Sequence, residues 1–255
     1  MSTALVTGAT AGLGAAFARA LAKDSHDLVL VARDESRLES AKVALEDQFG
    51  VGVAVLPADL TTDAGCGAVA ARLSSTEKPV ETLINNAGIG TYRPFGVAEL
   101  AREESMLDLN VRAVLRLTHA SVRAMQSRGR GLIINVSSVA SFVPRGSNAT
   151  YSASKAWVTM FSEALAVQVA GSGVIVSALC PGFTRTEFHE RAEADMSAVP
   201  GWMWLDADAV VAQGLADARA GKPVSVPSAK YKALVGTARH IPRPLLRAIM
   251  QRAGR

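Results

Sequence analysis

TALVTGATAGLG, residues 3–14, decides how the rest of the chain is read. Its apolar, β-branched start reads as a short strand over residues 4–7, and an Ala/Leu-rich segment of helical period follows over residues 14–23. Between them stand Gly8, Gly12 and Gly14. Glycines at such a junction let the backbone approach a pyrophosphate, whose charge the free amides and dipole of the helix then stabilise. Glycines also make ordinary tight turns. The strand before and the helix after are what turn this trio into a dinucleotide-binding signal.

Outward from that junction the same alternation repeats. Apolar runs at residues 28–32, 53–57, 82–86, 132–138 and 174–180 read as strands, and PVSVP, residues 223–227, as a seventh. Nearly every residue in these runs is apolar, as strands covered on both faces must be. Residues 35–49, 64–73, 99–128 and 152–170 read as helices between them. The expected fold is α/β: a doubly wound, Rossmann-like parallel sheet of about seven strands, with its ligand beyond their carboxyl ends.

Composition narrows the classes. A chain of 255 residues, 49% hydrophobic, can bury one large core, and no repeat or low-complexity linker divides it, so residues 1–255 read as one domain. No run approaches the roughly 20 apolar residues of a membrane span, and the start is too short and too soon broken by glycines for a signal peptide, so a cytoplasmic protein is expected. A net charge of +4, scattered along the chain, gives no support for nucleic-acid binding. Cys66 and Cys180 stand apart, without CxxC or His-rich company. Both read as buried small hydrophobes rather than metal ligands, and no metal site is expected.

The stretch YSASK, residues 151–155, carries the chemistry. A spacing of four stacks Tyr151 and Lys155 on one helix face, so an ammonium can sit beside a phenol. A free phenol, with a pKa near 10, is a poor base at neutral pH, and the nearby charge lowers it. The spacing Gly-x-x-x-Gly-x-Gly adds to this, together with NNAG at residues 85–88, a serine thirteen residues before the tyrosine, and Pro181-Gly182. Together these motifs resemble the short-chain dehydrogenase/reductase family, over residues 3 to about 186.

The resemblance implies a catalytic set of Asn110, Ser138, Tyr151 and Lys155. Tyr151 would be the general acid/base, Lys155 would tune it and hold the nicotinamide ribose, Ser138 would hydrogen-bond the substrate oxygen, and Asn110 would anchor a water in a proton relay. Ser137 should point the other way, since successive strand residues face opposite sides. The cofactor would lie along Gly8, Thr10, Gly12, Leu13 and Gly14. Asn86, Ala87 and Gly88 would form the loop near the adenosine ribose, where a purely structural turn is the alternative. Asp59 matches the position bonding the adenine amino group, with Leu60 giving a backbone contact. Pro181, Gly182, Thr184 and Thr186 complete the nicotinamide end.

Cofactor choice is read after the second strand, where an acid accepts from a ribose 2′-hydroxyl and an Arg accommodates a 2′-phosphate. Ala32 stands at the acid's position and Arg33 follows, the pattern of NADP rather than NAD. Asp34 reads as part of the helix start. Arg37 reads as a second phosphate contact or as part of a solvated helix face.

Residues 183–205 read as an apolar substrate lid. Phe183, Phe188, Trp202, Met203 and Trp204 close it over the nicotinamide, Gly201 is a hinge, and His189 is a surface residue. The ending departs from the family's tetrameric members. Residues 228–255 form a basic, amphipathic extension, read either as a peripheral membrane contact or as helices folding back on the core or a partner subunit. A homodimer or homotetramer is expected.

The leading function is NADP(H)-dependent hydride transfer between nicotinamide and a hydrophobic carbonyl or secondary alcohol. The alternatives are a 3-oxoacyl thioester reductase of lipid or polyketide metabolism and a non-catalytic NADPH-binding regulator.

Overall fold

The computed structural model describes residues 2–91, 93–144, 148–192, 194–197 and 199–253. Seven parallel strands form one sheet: β1 (Thr3–Thr7), β2 (Asp27–Ala32), β3 (Val53–Pro57), β4 (Val80–Asn85), β5 (Gly131–Val136), β6 (Val174–Leu179) and the short β7 (Val224–Ser225). Their spatial order is β3-β2-β1-β4-β5-β6-β7. The chain winds outward one way from β1 and then the other way from β4. That reversal opens a crevice beyond the strands' carboxyl ends, where open α/β sheets bind ligands.

Strand alternation divides the core in two. Ala4 and Val6 of β1, with Leu28 and Leu30 of β2, pack under α1 (Gly12–Lys23), α2 (Glu35–Phe49) and α8 (Ala207–Arg219). Leu5, Val29 and Val31 face the opposite way, toward α3 (Asp63–Ser74), α5 (Val114–Arg128) and α6 (Ala149–Gln168). Both faces are therefore buried, which is why the strands are apolar throughout. Cys66 is free and buried in the second of these layers, and Cys180 is free and buried beside Ala178, Val226 and Tyr231.

Helix starts follow the local sequence. Asp34 caps α2 by accepting from the Arg37 amide at 3.0 Å, as the reading of Asp34 requires. Thr62 and Asp206 cap α3 and α8 in the same way. By contrast, α1 starts at Ala11 with no side-chain cap and no acid in its first turn, so its first amides are left for a ligand.

One helix departs from the expected form. Residues 99–128 do not make a continuous α-helix: α4 (Leu100–Leu107) passes into a π-helical turn, Asp108–Ala113, before α5. No Gly or Pro announces it. The turn carries Asn110, whose amide is bonded to the loop after β4, and the wider turn accommodates that inward side chain.

Candidate active site

The end of β1 and the start of α1 fit a dinucleotide by their shape. Gly8 has φ +64°, in the left-handed region, and a Cβ added at Gly14 would lie 2.0 Å from the Gly8 carbonyl oxygen. Any side chain there would fill the space between turn and helix. Thr7, absent from the sequence reading, braces this turn. Its hydroxyl accepts from the amides of Asn86 and Ala87 at 2.9 and 3.0 Å, and Asn86 Nδ2 donates to the Thr7 and Gly8 carbonyls at 2.9 and 3.2 Å. A polar residue as the last of an apolar strand was the available signal.

The crevice is a cavity of about 910 Å³. Gly8, Gly12, Leu13 and Arg33 line one end, and Asn86, Ala87 and Gly88 the floor. Ser138, Tyr151, Lys155, Pro181, Gly182 and Thr184 line the other, and Thr186 packs beside Gly12 at the first. Thr10, Gly14, Asp59, Leu60 and Asn110 do not line the cavity. Thr10 offers its carbonyl to Arg37, and Asp59 accepts from the amide and hydroxyl of Thr61, which lowers its pKa. Leu60 is buried in the core.

Tyr151 and Lys155 project from the first two turns of α6. The Lys155 ammonium lies 5.8 Å from the centre of the Tyr151 ring and donates to the Val136 carbonyl at 2.9 Å. Burial lowers the Lys155 pKa to about 8. Ser138 follows β5, two residues past the strand's end, and its hydroxyl accepts from the Ala140 amide at 3.1 Å. Ser137 does point away: its hydroxyl donates to the Lys155 carbonyl at 2.8 Å and meets Thr159 at 2.7 Å. Asn110 accepts from the Ile89 amide and donates to the Ile89 carbonyl and the Ser154 hydroxyl at 3.0, 2.9 and 3.2 Å. Both polar atoms of its side chain are thus committed, and Gly88 packs against its Oδ1 and the Lys155 ammonium.

The substrate side corrects several expectations. Phe188, which opens the short helix α7 (Phe188–Arg191), sits beside the Tyr151 ring, 5.7 Å between centroids. His189 is no surface residue: it lines the cavity and packs against Phe183, Phe188 and Trp204. Trp202 does not face the nicotinamide end. It is 62% exposed, with the Lys230 ammonium 5.8 Å from its ring. The Arg37 side chain is part-solvated and already engaged, because it pairs with Glu187 and donates to the Thr10 carbonyl, both at 3.0 Å. Glu193 and Ala198 of the expected lid, like Gly254 and Arg255 of the extension, lie outside the described residues.

Two helices, α9 (Ala229–His240) and α10 (Arg243–Ala253), form the C-terminal extension, and they fold back on the core. Leu234, Val235 and Ala238 of α9 and Met250 of α10 wall the outer part of the cavity. Tyr231 of α9 was missed by the sequence reading and holds the lid's two roots. Its hydroxyl accepts from the Phe183 amide at 3.1 Å and donates to the Met203 carbonyl at 2.8 Å. Its ring packs on Gly182, where a Cβ would lie 2.1 Å away. Phe183 and Leu205 are further joined at 2.8 Å, so the roots of the lid are pinned and any closing motion is confined between them. Tyr231→Phe keeps the ring and removes both bonds, and a loss of about 1 kcal/mol is expected. A fall of about 2–4 °C in a thermal melt checks it, and an unchanged Tm would show the bonds to be idle.

Comparison with known proteins agrees with this geometry. The sequence profile of the family described as short chain dehydrogenase matches residues 2–197. A ketoacyl reductase, HetN, of Nostoc sp. is 36% identical over 184 residues, 71% of this chain and 63% of that protein, so the match spans less than two thirds of that relative's length. The structure of a short-chain dehydrogenase from Sphingobium yanoikuyae in complex with NADPH superposes with a TM-score of 0.86 at 35% identity, covering 95% of this chain and 97% of that one. That of a bulky-bulky ketone specific alcohol dehydrogenase from Comamonas testosteroni gives 0.81 at 29% identity, covering 95% and 96%.

Proposed function

The chain belongs to the short-chain dehydrogenase/reductase family, and on that premise we propose that it is an NADP(H)-dependent oxidoreductase acting on bulky hydrophobic ketones and secondary alcohols. One observation carries the reading: Ser138, Tyr151 and Lys155 meet at the end of a cavity whose other end is the glycine turn. A regulator that only bound the cofactor would need the turn and not the three side chains.

Gly8, Gly12, Leu13 and Thr186 are the residues that would hold the pyrophosphate, Asn86 to Gly88 the adenosine side, and Lys155 the nicotinamide ribose. When bound, the nicotinamide supplies or takes up the hydride. Tyr151 gives its phenolic proton to the carbonyl oxygen in reduction and takes it back in oxidation. The Ser138 hydroxyl hydrogen-bonds that oxygen and holds it toward the phenol. As an ammonium, Lys155 favours the phenolate left behind. The Asn110 side chain is occupied by Ile89 and Ser154, so its part in a water relay falls to its main chain.

Arg33 supports the cofactor preference. It is exposed at the cavity's edge after Ala32, with no acid in the position that would repel a 2′-phosphate. Arg33→Ala is expected to weaken NADPH by roughly ten- to a hundredfold, about 1.5–3 kcal/mol, and leave NADH unchanged. Fluorescence titration with both cofactors decides it, and equal losses for the two would refute the role.

The substrate class rests on an apolar wall. Phe183, Phe188, Met203, Leu234 and Val235 surround the space outside Tyr151, and burying apolar surface there contributes about 25 cal/mol per Å². A 3-oxoacyl thioester is the second reading, favoured by that wall together with the resemblance to a ketoacyl reductase. Following the reduced cofactor's absorbance with ketones of increasing size, secondary alcohols and 3-oxoacyl thioesters separates these readings. Efficiency should rise with apolar size, and preference for small polar carbonyls would overturn both. Exposed Leu115, Met160 and Val167 on α5 and α6 support a second copy packing on that side. Residues 1–255 are taken as one functional domain.

A further inference from the structure

Charge is unevenly placed along this chain. After Asp217 the sequence holds nine Lys and Arg residues and no Asp or Glu. The residues up to Asp217 hold the other 18 bases against all 23 acids. A net charge of +4 therefore combines a C-terminal part at +9 with a remainder at −5. Two of the nine are neutralised locally, Arg219 by Asp24 and Lys222 by Asp217. Lys232, Arg243 and Arg247 are exposed and make no ion pair among the described residues.

The apolar side chains of α10 extend past the part of the helix that the core covers. Leu246 is buried and Met250 lines the cavity, one turn apart on the inner side. Leu245 and Ile249, roughly 100° around the helix from them, are 54% and 44% exposed. Leu234 of α9 is likewise half exposed while it lines the cavity. Arg243 and Arg247 lie on the other side of the buried Leu246–Met250 stripe, so α10 carries an apolar flank, Leu245 and Ile249, and a basic flank across that stripe. Packing against this protein's own core accounts for neither. No helix among the described residues is long and apolar enough to cross a membrane, so such a face would lie on a bilayer and not span it.

We propose that α9 and α10 form a docking surface for an anionic lipid bilayer. Leu245 and Ile249 enter the boundary between headgroups and acyl chains, and the charges of Lys232, Arg243 and Arg247 attract the headgroup phosphates through space, across about a Debye length. A second copy of this chain would set Lys232, Arg243 and Arg247 against the same cations of its own, which is why an anionic partner is favoured there. Since Leu234, Ala238 and Met250 also wall the cavity, its mouth would open beside the bilayer. An apolar substrate would then pass from lipid to Tyr151 without crossing water, a consequence that rests on the proposed function, whereas the docking itself does not.

Flotation of the full chain with vesicles tests this, using phosphatidylcholine alone and phosphatidylcholine with a third phosphatidylglycerol. Binding to the anionic vesicles should exceed that to the neutral ones by about tenfold or more at low salt and fall as salt is added. Leu245→Glu with Ile249→Glu, and separately Arg243→Glu with Arg247→Glu, should each lower it by about tenfold. Both variants should keep the wild-type melting curve and turnover of a small water-soluble ketone. Equal binding to the two vesicle types, or anionic binding that neither variant weakens, overturns the proposal. So does size-exclusion evidence that L245E/I249E splits a dimer while no vesicle binding occurs, which would assign the face to a second copy. Because flotation reads no turnover, a failed substrate assignment leaves this result standing.

Discussion

Tyr151→Phe is expected to lower turnover by about two to four orders of magnitude, the usual worth of a positioned general acid/base, while leaving cofactor affinity and melting temperature nearly unchanged. The substitution removes one oxygen and keeps the ring. That ring packs beside Phe188, 5.7 Å between centroids, and lies 5.8 Å from the Lys155 ammonium, so the cavity wall and the neighbouring charge both remain. What disappears is the proton that must reach the carbonyl oxygen in reduction. Ser138 cannot replace it at neutral pH, since an aliphatic hydroxyl gives up its proton far less readily than a phenol. The loss should therefore fall on kcat in both directions, with little change in KM for a ketone. Steady-state kinetics with NADPH, beside a fluorescence titration of the cofactor, measures both parts. Turnover within about fivefold of wild type would remove Tyr151 from proton transfer, a role otherwise worth roughly 100-fold or more.

The parts of this site that lie close in sequence were legible in advance, because short-range spacing constrains them. Gly8, Gly12 and Gly14 stand between a strand and a helix, and Tyr151 and Lys155 share one helix face; both follow from local geometry. Ser137 and Ser138 were told apart by strand alternation alone. Asp34 was assigned to the start of α2 because a short acid before a helical run caps its amides, and it does. What could not be read locally depended on partners far along the chain. The π-turn at Asn110 answers to Ile89, 21 residues away, and Arg37 to Glu187, 150 residues away. Tyr231 bonds Phe183 across 48 residues and Met203 across 28, and nothing in its own neighbourhood marks it. Trp202 was misplaced for a related reason. Its aromatic character placed it in a lid over the nicotinamide, but Lys230 from α9 donates to its carbonyl and lies over its ring on the outside. The C-terminal helices supply a wall of the cavity that no family motif encodes.

Lys155→Met should couple the two properties in opposite directions, making the protein more stable at pH 7 while reducing turnover by about two orders of magnitude or more. Lys155 is buried, 5% exposed, and desolvation holds its pKa at about 8 against 10.5 for the unperturbed group. A folded-state pKa below the unfolded one means that the unfolded chain binds more protons between those two values. Stability then rises with pH across that window. Below pH 8 both states carry the ammonium and the full penalty of burying it stands, on the order of 3 kcal/mol. Above pH 10.5 both states are neutral and the penalty is gone. Methionine carries no charge to desolvate, but it leaves the Val136 carbonyl without the bond it accepts at 2.9 Å, which offsets roughly 1 kcal/mol of the gain. The net expectation is a Tm higher by about 4–8 °C at pH 7, narrowing as pH climbs from 8 toward 10.5, where wild type gains and the variant does not. Thermal melts of both proteins at intervals from pH 6 to about pH 10 would trace it, the upper limit being set by the titration of other lysines. A variant less stable than wild type at pH 7, or a gap that does not change with pH, would show that the Lys155 ammonium is not paying for its burial in the fold and that its proton is held by something other than the neighbourhood of Tyr151.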